Sequence, residues 1–178
     1  MTLPRVYPIV DTAALEARGM AVETAARALI DGGARILQLR HKGRWPRELF
    51  EEARRIRGLC RERDVECIIN DRADFALMLD AGLHLGQEDL TPSDARRVVG
   101  SRCIGFSTHN EIQLRAAAGE PVDYVALGPI FATGSKDKPD PAVGVERLRE
   151  WRRLSPRPLV AIGGITRATA RTVLDAGA

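Results

Sequence analysis

The chain has 178 residues, 44% of them hydrophobic, with 27 Lys and Arg against 24 Asp and Glu for a net charge of +3. That length supports one domain with a substantial core, no apolar run approaches the ~20 residues that span a bilayer, and no basic segment leads into a hydrophobic stretch near Met1. A membrane or secreted protein is therefore disfavoured and a cytoplasmic one expected. The arginines alternate with acids, as in Glu51-Glu52-Ala53-Arg54-Arg55, and four Phe, two Tyr and two Trp offer no stacking ladder, so no nucleic-acid partner is expected.

In chain order, apolar runs of strand length end in polar or glycine-rich clusters: 6–11, 36–42, 67–72, 83–89, 104–109, 122–136 and 159–166. Between them, apolar residues recur at helical spacing, and the pattern predicts helices near 21–32, 46–63, 72–80, 92–99, 110–118, 144–154 and 167–176. Thr91-Pro92-Ser93-Asp94 supplies a hydroxyl cap, a first-turn proline and an early carboxylate for the fourth of these. Alternation of this kind predicts an α/β fold with parallel strands, either an open doubly wound sheet or a closed barrel. Both place chemistry at the carboxyl ends of strands. Polar residues at nearly every strand end favour a (β/α)8 TIM barrel over a single switch point.

Seven strand-helix units can be counted in residues 1–178, and Asp175-Ala176-Gly177-Ala178 resembles Leu79-Asp80-Ala81-Gly82, which leads directly into a strand. The expectation is a single barrel domain, C-terminally truncated, whose first and seventh strands leave edges prone to association. Cys60, Cys67 and Cys103 match no zinc spacing and read as reduced, buried thiols.

The second run, Ile36 to Lys42, alternates with period two, so Gln38, Arg40 and Lys42 share the face opposite Leu37 and Leu39. Polar groups inside a barrel are costly unless an anion meets them. Asp71 and Asp89 end the third and fourth runs, placed to share one Mg²⁺ or merely to cap the helices that follow. Thr133-Gly134-Ser135-Lys136 adds hydroxyls, a cation and open backbone in the long 128–143 connection, a candidate lid. Together these residues point to phosphate or pyrophosphate binding. Gly163-Gly164 is either a phosphate turn or a tight turn. Among the three histidines, His84 reads as a core residue or a wall of the pocket, and His41 as facing the helices. His109, beside Ser107 and Thr108, is either an acid/base group or a cap and pocket wall.

Six motifs in order resemble the thiamine-phosphate synthase family and its thiazole tautomerase relatives over essentially the whole chain. They are Gln38-Leu39-Arg40-His41-Lys42, Ile69-Asn70-Asp71-Arg72, His84-Leu85-Gly86-Gln87-Glu88-Asp89, Ser107-Thr108-His109, Gly128 to Thr133 with Ser135-Lys136, and Ile162-Gly163-Gly164-Ile165-Thr166. The resemblance implies a transferase of thiamine biosynthesis that joins hydroxymethylpyrimidine pyrophosphate to a thiazole phosphate carboxylate. It further implies that Gln38, Arg40, Lys42, Asn70 and Lys136 hold pyrophosphate and pyrimidine, with Ser107 touching one of them. Asp71 and Asp89 would bind Mg²⁺, and Thr133, Ser135 and Gly164 would hold the thiazole phosphate. Ala132 and Ser135 stand where the family more usually shows Pro and Thr. The eighth strand end, which contributes to the thiazole phosphate site in this family, lies outside residues 1–178, so little synthase turnover is expected of those residues alone. The other readings are the tautomerase, which resembles this chain at His109 and does not need the carboxylate pair, and a noncatalytic phosphate-ligand-binding barrel.

Overall fold

The protein, analysed as a computed structural model, is described over residues 3–134 and 140–178. Those residues fall into two compact units, one of 3–84 with 94–103 and one of 85–93 with 104–178. Strands and helices alternate in both, and every registered strand pair is parallel.

In the first unit, β1 (Ile9–Asp11), β2 (Ile36–Arg40), β3 (Glu66–Asn70) and all but the last residue of β4 (Gly82–Leu85) lie in sequence order. Ile36, Leu37 and Leu39 of β2 are fully buried, and so are Ile68 and Ile69 of β3. Strands buried on both faces in this way are typical of parallel sheets covered by helices. The covering elements are a short helix α1 (Thr12–Glu16), then α2 (Val22–Asp31), α3 (Arg47–Glu62), α4 (Ala73–Met78) and most of α5 (Pro92–Val99).

The sixteen residues of α3 bury Ala53, Ile56 and Cys60, a single stripe at helical spacing, and leave the arginines and glutamates exposed or half-buried. Glu48 in its first turn and Arg61 in its last complement the helix dipole. Cys60 and Cys67 are buried and Cys103 half-buried, all three as thiols.

The second unit carries β5 (Ile104–Thr108), β6 (Tyr124–Leu127) and β7 (Leu159–Ala161), again in order. Its helices are α6 (Glu111–Ala117), α7 (Val145–Trp151), continued by a 3-10 turn at Arg152–Leu154, and α8 (Arg167–Asp175). Tyr124 and Leu127 are fully buried, and the Tyr124 ring occupies the space a side chain at position 105 would need: a Cβ there would lie 2.0 Å from the ring. Glycine at 105 is therefore a packing requirement. The helices expected from sequence are found within a few residues of their predicted ends; α1 was not expected.

Candidate active site

At the end of β2, three polar side chains each meet a partner from a neighbouring element. Gln38, 2% exposed, donates its Nε2–H to the Tyr7 hydroxyl at 3.1 Å. Arg40 is ion-paired to Asp11, which sits opposite it in the β1–β2 register. Lys42, just past the strand, donates to the Asp71 carboxylate at 2.6 Å. Asp11 also accepts the Ala14 N–H at 3.0 Å, capping α1. Burial alone would raise its pKa, but the Ala14 N–H and the Arg40 guanidinium outweigh that and hold it below the ordinary value.

Asn70 and Asp71 close β3. The Asn70 amide is buried, and its Nδ2 has no hydrogen-bond partner among the described residues. An orphaned donor of that kind costs about 1–3 kcal/mol, so its retention points to a ligand that accepts from it. Asp71 has φ +64°, the left-handed conformation that aspartate tolerates better than most side chains. The N-cap of α4 is Arg72 rather than Asp71, which disfavours the reading of Asp71 as a simple helix cap.

His41 is consumed locally. Its Nδ1 accepts from the Thr12 hydroxyl at 2.8 Å and its Nε2 faces the Arg44 carbonyl at 3.1 Å, while its ring stands edge-on to Trp45. His84, on β4, is buried as expected of a core residue.

In the second unit, Asp89 accepts the Gly86 N–H at 2.7 Å across a tight turn, and Gln87 donates to the Ser107 carbonyl at 2.6 Å. Thr108 is buried and bonded to the Ala126 carbonyl. His109 Nδ1 lies 2.6 Å from the Gly128 carbonyl, so it carries the proton, and 3.5 Å from Asp140. Its backbone N–H is accepted by Gln113.

The segment after β6 runs on beside the end of β7, with Ile130 N donating to Ile162 O at 2.8 Å and Phe131 N to Gly163 O at 3.0 Å. Gly163 and Gly164 have φ +96° and +65°, and a Cβ on Gly164 would meet the Ala132 carbonyl at 2.6 Å. The double glycine is thus demanded by backbone geometry, whatever it binds. The far end of the connection is tied back as well, by Val143 N to Pro129 O and Gly144 N to Ile130 O. Thr133 is half-buried nearby in sequence. Ser135 and Lys136 lie outside the described residues.

A profile of the family described as thiamine monophosphate synthase matches residues 6–178. The chain belongs to that family. A thiamine-phosphate synthase from Koribacter versatilis is 47% identical over all of this chain and 86% of its own length. One from Chloroflexus aurantiacus is 40% identical over 98% of this chain and 80% of its own. Among solved structures, the thiamine phosphate pyrophosphorylase of Pyrococcus furiosus matches with a TM-score of 0.85 at 31% identity, over 96% of this chain and 81% of that one. A KDPGal structure shares the fold at 13% identity and a TM-score of 0.70. Membership in the thiamine monophosphate synthase family makes the chain a transferase of thiamine biosynthesis with the α/β, TIM-barrel type of fold. Among the described residues no helix is long and apolar enough to cross a membrane.

Sequence reasoning missed Asp11, Tyr7 and Thr12, which hold Arg40, Gln38 and His41. Asp11 did carry a signal, since it ends the first strand run as Asp71 ends the third. Tyr7 lies 31 residues from Gln38, and its contact follows only from the strand register.

Proposed function

We propose that the chain catalyses Mg²⁺-dependent transfer of the hydroxymethylpyrimidine group from its pyrophosphate to a thiazole phosphate carboxylate, releasing pyrophosphate and carbon dioxide and giving thiamine phosphate. The observation that carries this reading is the buried, unpartnered Asn70 amide at the strand end next to the one that bears Arg40 and leads to Lys42. A neutral hydrogen-bond donor beside two cations suits a ligand with a heterocycle and a polyanion. Three cysteines held as free thiols suit the cytoplasm, where we place the reaction.

In this reading Gln38, Arg40, Lys42, Asn70 and Lys136 bind the pyrimidine and the pyrophosphate, with Ser107 touching one of them. Thr133, Ser135 and Gly164 bind the thiazole phosphate. Asp71 and Asp89 are the proposed magnesium ligands. Their hard carboxylate oxygens suit that ion, which typically takes only one or two protein carboxylates, so a denser acidic cluster is not required. Bound Mg²⁺ would neutralise charge on the departing pyrophosphate.

The chain's own residues account for the remaining chemistry. Arg40 and Lys42 present N–H donors where negative charge grows as the C–O bond to pyrophosphate breaks. Arginine offers a planar fork and lysine a mobile point charge. Asn70 and Gln38 fix the heterocycle so that the thiazole nitrogen meets the methylene carbon of the delocalised cation that pyrophosphate leaves behind. No side chain needs to act as a covalent nucleophile.

The test measures Mg²⁺-dependent pyrophosphate binding by calorimetry, together with pyrophosphate release when both substrates are supplied. Asp71→Asn keeps a residue that tolerates the backbone conformation and should weaken binding about 100-fold, as expected for losing a charged ligand group. Undiminished binding in that variant would sink the reading.

The His109 geometry supports a second reading as a thiazole tautomerase. With its Nδ1 proton directed at Gly128 O, Nε2 is the ring atom of His109 left to act as a base. Asp89→Ala and His109→Ala, assayed separately, distinguish the two: a synthase loses activity mainly with the first and a tautomerase mainly with the second.

A further inference from the structure

We propose that Asp11 is a positioning residue, which presents the Arg40 guanidinium to the anionic part of the substrate; the inference rests on the pyrophosphate reading of Arg40. Asp11 and Arg40 are register partners at the ends of β1 and β2, and they are ion-paired with about three-quarters of each side chain removed from solvent. Asp11 cannot readily follow a moving guanidinium, because its other oxygen caps α1 through the Ala14 N–H. One carboxylate therefore joins a helix terminus to an arginine, and the helix start fixes where the arginine points.

The energetic argument concerns entropy and donor number. A free arginine side chain carries about 2 kcal/mol of rotamer entropy that binding must remove. Pairing with Asp11 removes much of it before the ligand arrives, and a fork with five N–H donors still has donors left for phosphate oxygens. The same device recurs two residues back, where the Tyr7 hydroxyl accepts from the buried Gln38 amide. Tyr7, just before β1, and Asp11, its last residue, thus orient two adjacent members of the proposed ligand-binding set on β2.

Pyrophosphate affinity in the presence of Mg²⁺, measured by calorimetry on Asp11→Ala, Arg40→Ala and the double variant, tests this. Arg40→Ala should weaken binding about 30-fold and Asp11→Ala about 10-fold, while adding Asp11→Ala to Arg40→Ala should change affinity by less than about 2-fold. Asp11→Asn, whose amide oxygen can accept from the same guanidinium and cap the same helix, should recover binding to within about 3-fold of the parent. A merely structural loss would lower affinity in both backgrounds and would not depend on Arg40. Effects that multiply independently, or an Asp11→Ala variant that binds normally while Arg40→Ala does not, overturn the inference alone. Normal binding by Arg40→Ala overturns the pyrophosphate reading and this inference with it.

Discussion

At the scale of single residues, one group of the site is poorly satisfied without a ligand. It is Asn70, whose amide nitrogen is buried and has no partner among the described residues. Replacing it with leucine, similar in volume and without the donor, should hold or raise the thermal midpoint by about 2–4 °C, since each ~1 kcal/mol shifts a domain of this size by that much. The same variant should lose pyrimidine-substrate turnover. A lower midpoint with turnover intact would mean that Asn70 serves the fold and not the ligand. Residue roles were only partly legible in the sequence. Gln38, Arg40, Lys42 and Asp71 stood out because polar groups at the ends of apolar strands need a reason, whereas Asn70 came only with the family resemblance. Tyr7 and Asp11 did not, because a supporting contact depends on how two strands distant in sequence align.

At the scale of elements, the alternation of apolar runs with helical spacing was enough to locate seven strands and most helices, since burial on both faces leaves parallel strands almost wholly apolar. The helix α1 escaped because five residues are too few to show a period. Packing between elements was also hidden. Nothing in Ile104-Gly105-Phe106 announces that the Tyr124 ring lies against Gly105, although the β5–β6 register makes the two residues neighbours. Gly105→Ala should therefore destabilise the protein by about 1–3 kcal/mol through overpacking, seen as a lower urea midpoint at unchanged slope. A cost below a few tenths of a kcal/mol would show that the ring swings away freely.

At the scale of the whole molecule, the arginine-rich surface is largely neutralised in place. Pairs such as Arg54–Glu51, Arg115–Glu111, Arg149–Glu146 and Arg171–Asp175 lie one helical turn apart and are exposed, so each contributes little to stability. The more sheltered Asp11–Arg40 pair should leave a clearer trace in the pH dependence of folding. Because the Asp11 pKa is depressed in the folded state, its contribution is fully present above the ordinary carboxylate range and is lost as pH falls through the folded value. Stability of Asp11→Asn should accordingly fall less steeply below about pH 4 than that of the parent, as read from urea midpoints. An identical acid limb in both proteins would count against the pairing. The three-residue strand β1 has a further consequence. Any ligand gripped by Gln38 and Arg40 is recognised only by molecules in which β1 is docked in register, so by mass action it should suppress local opening of that strand. Saturating pyrophosphate with Mg²⁺ should slow amide hydrogen exchange at Gln38, whose N–H is bonded to Pro8 O, making the protection of the first strand a direct gauge of site occupancy.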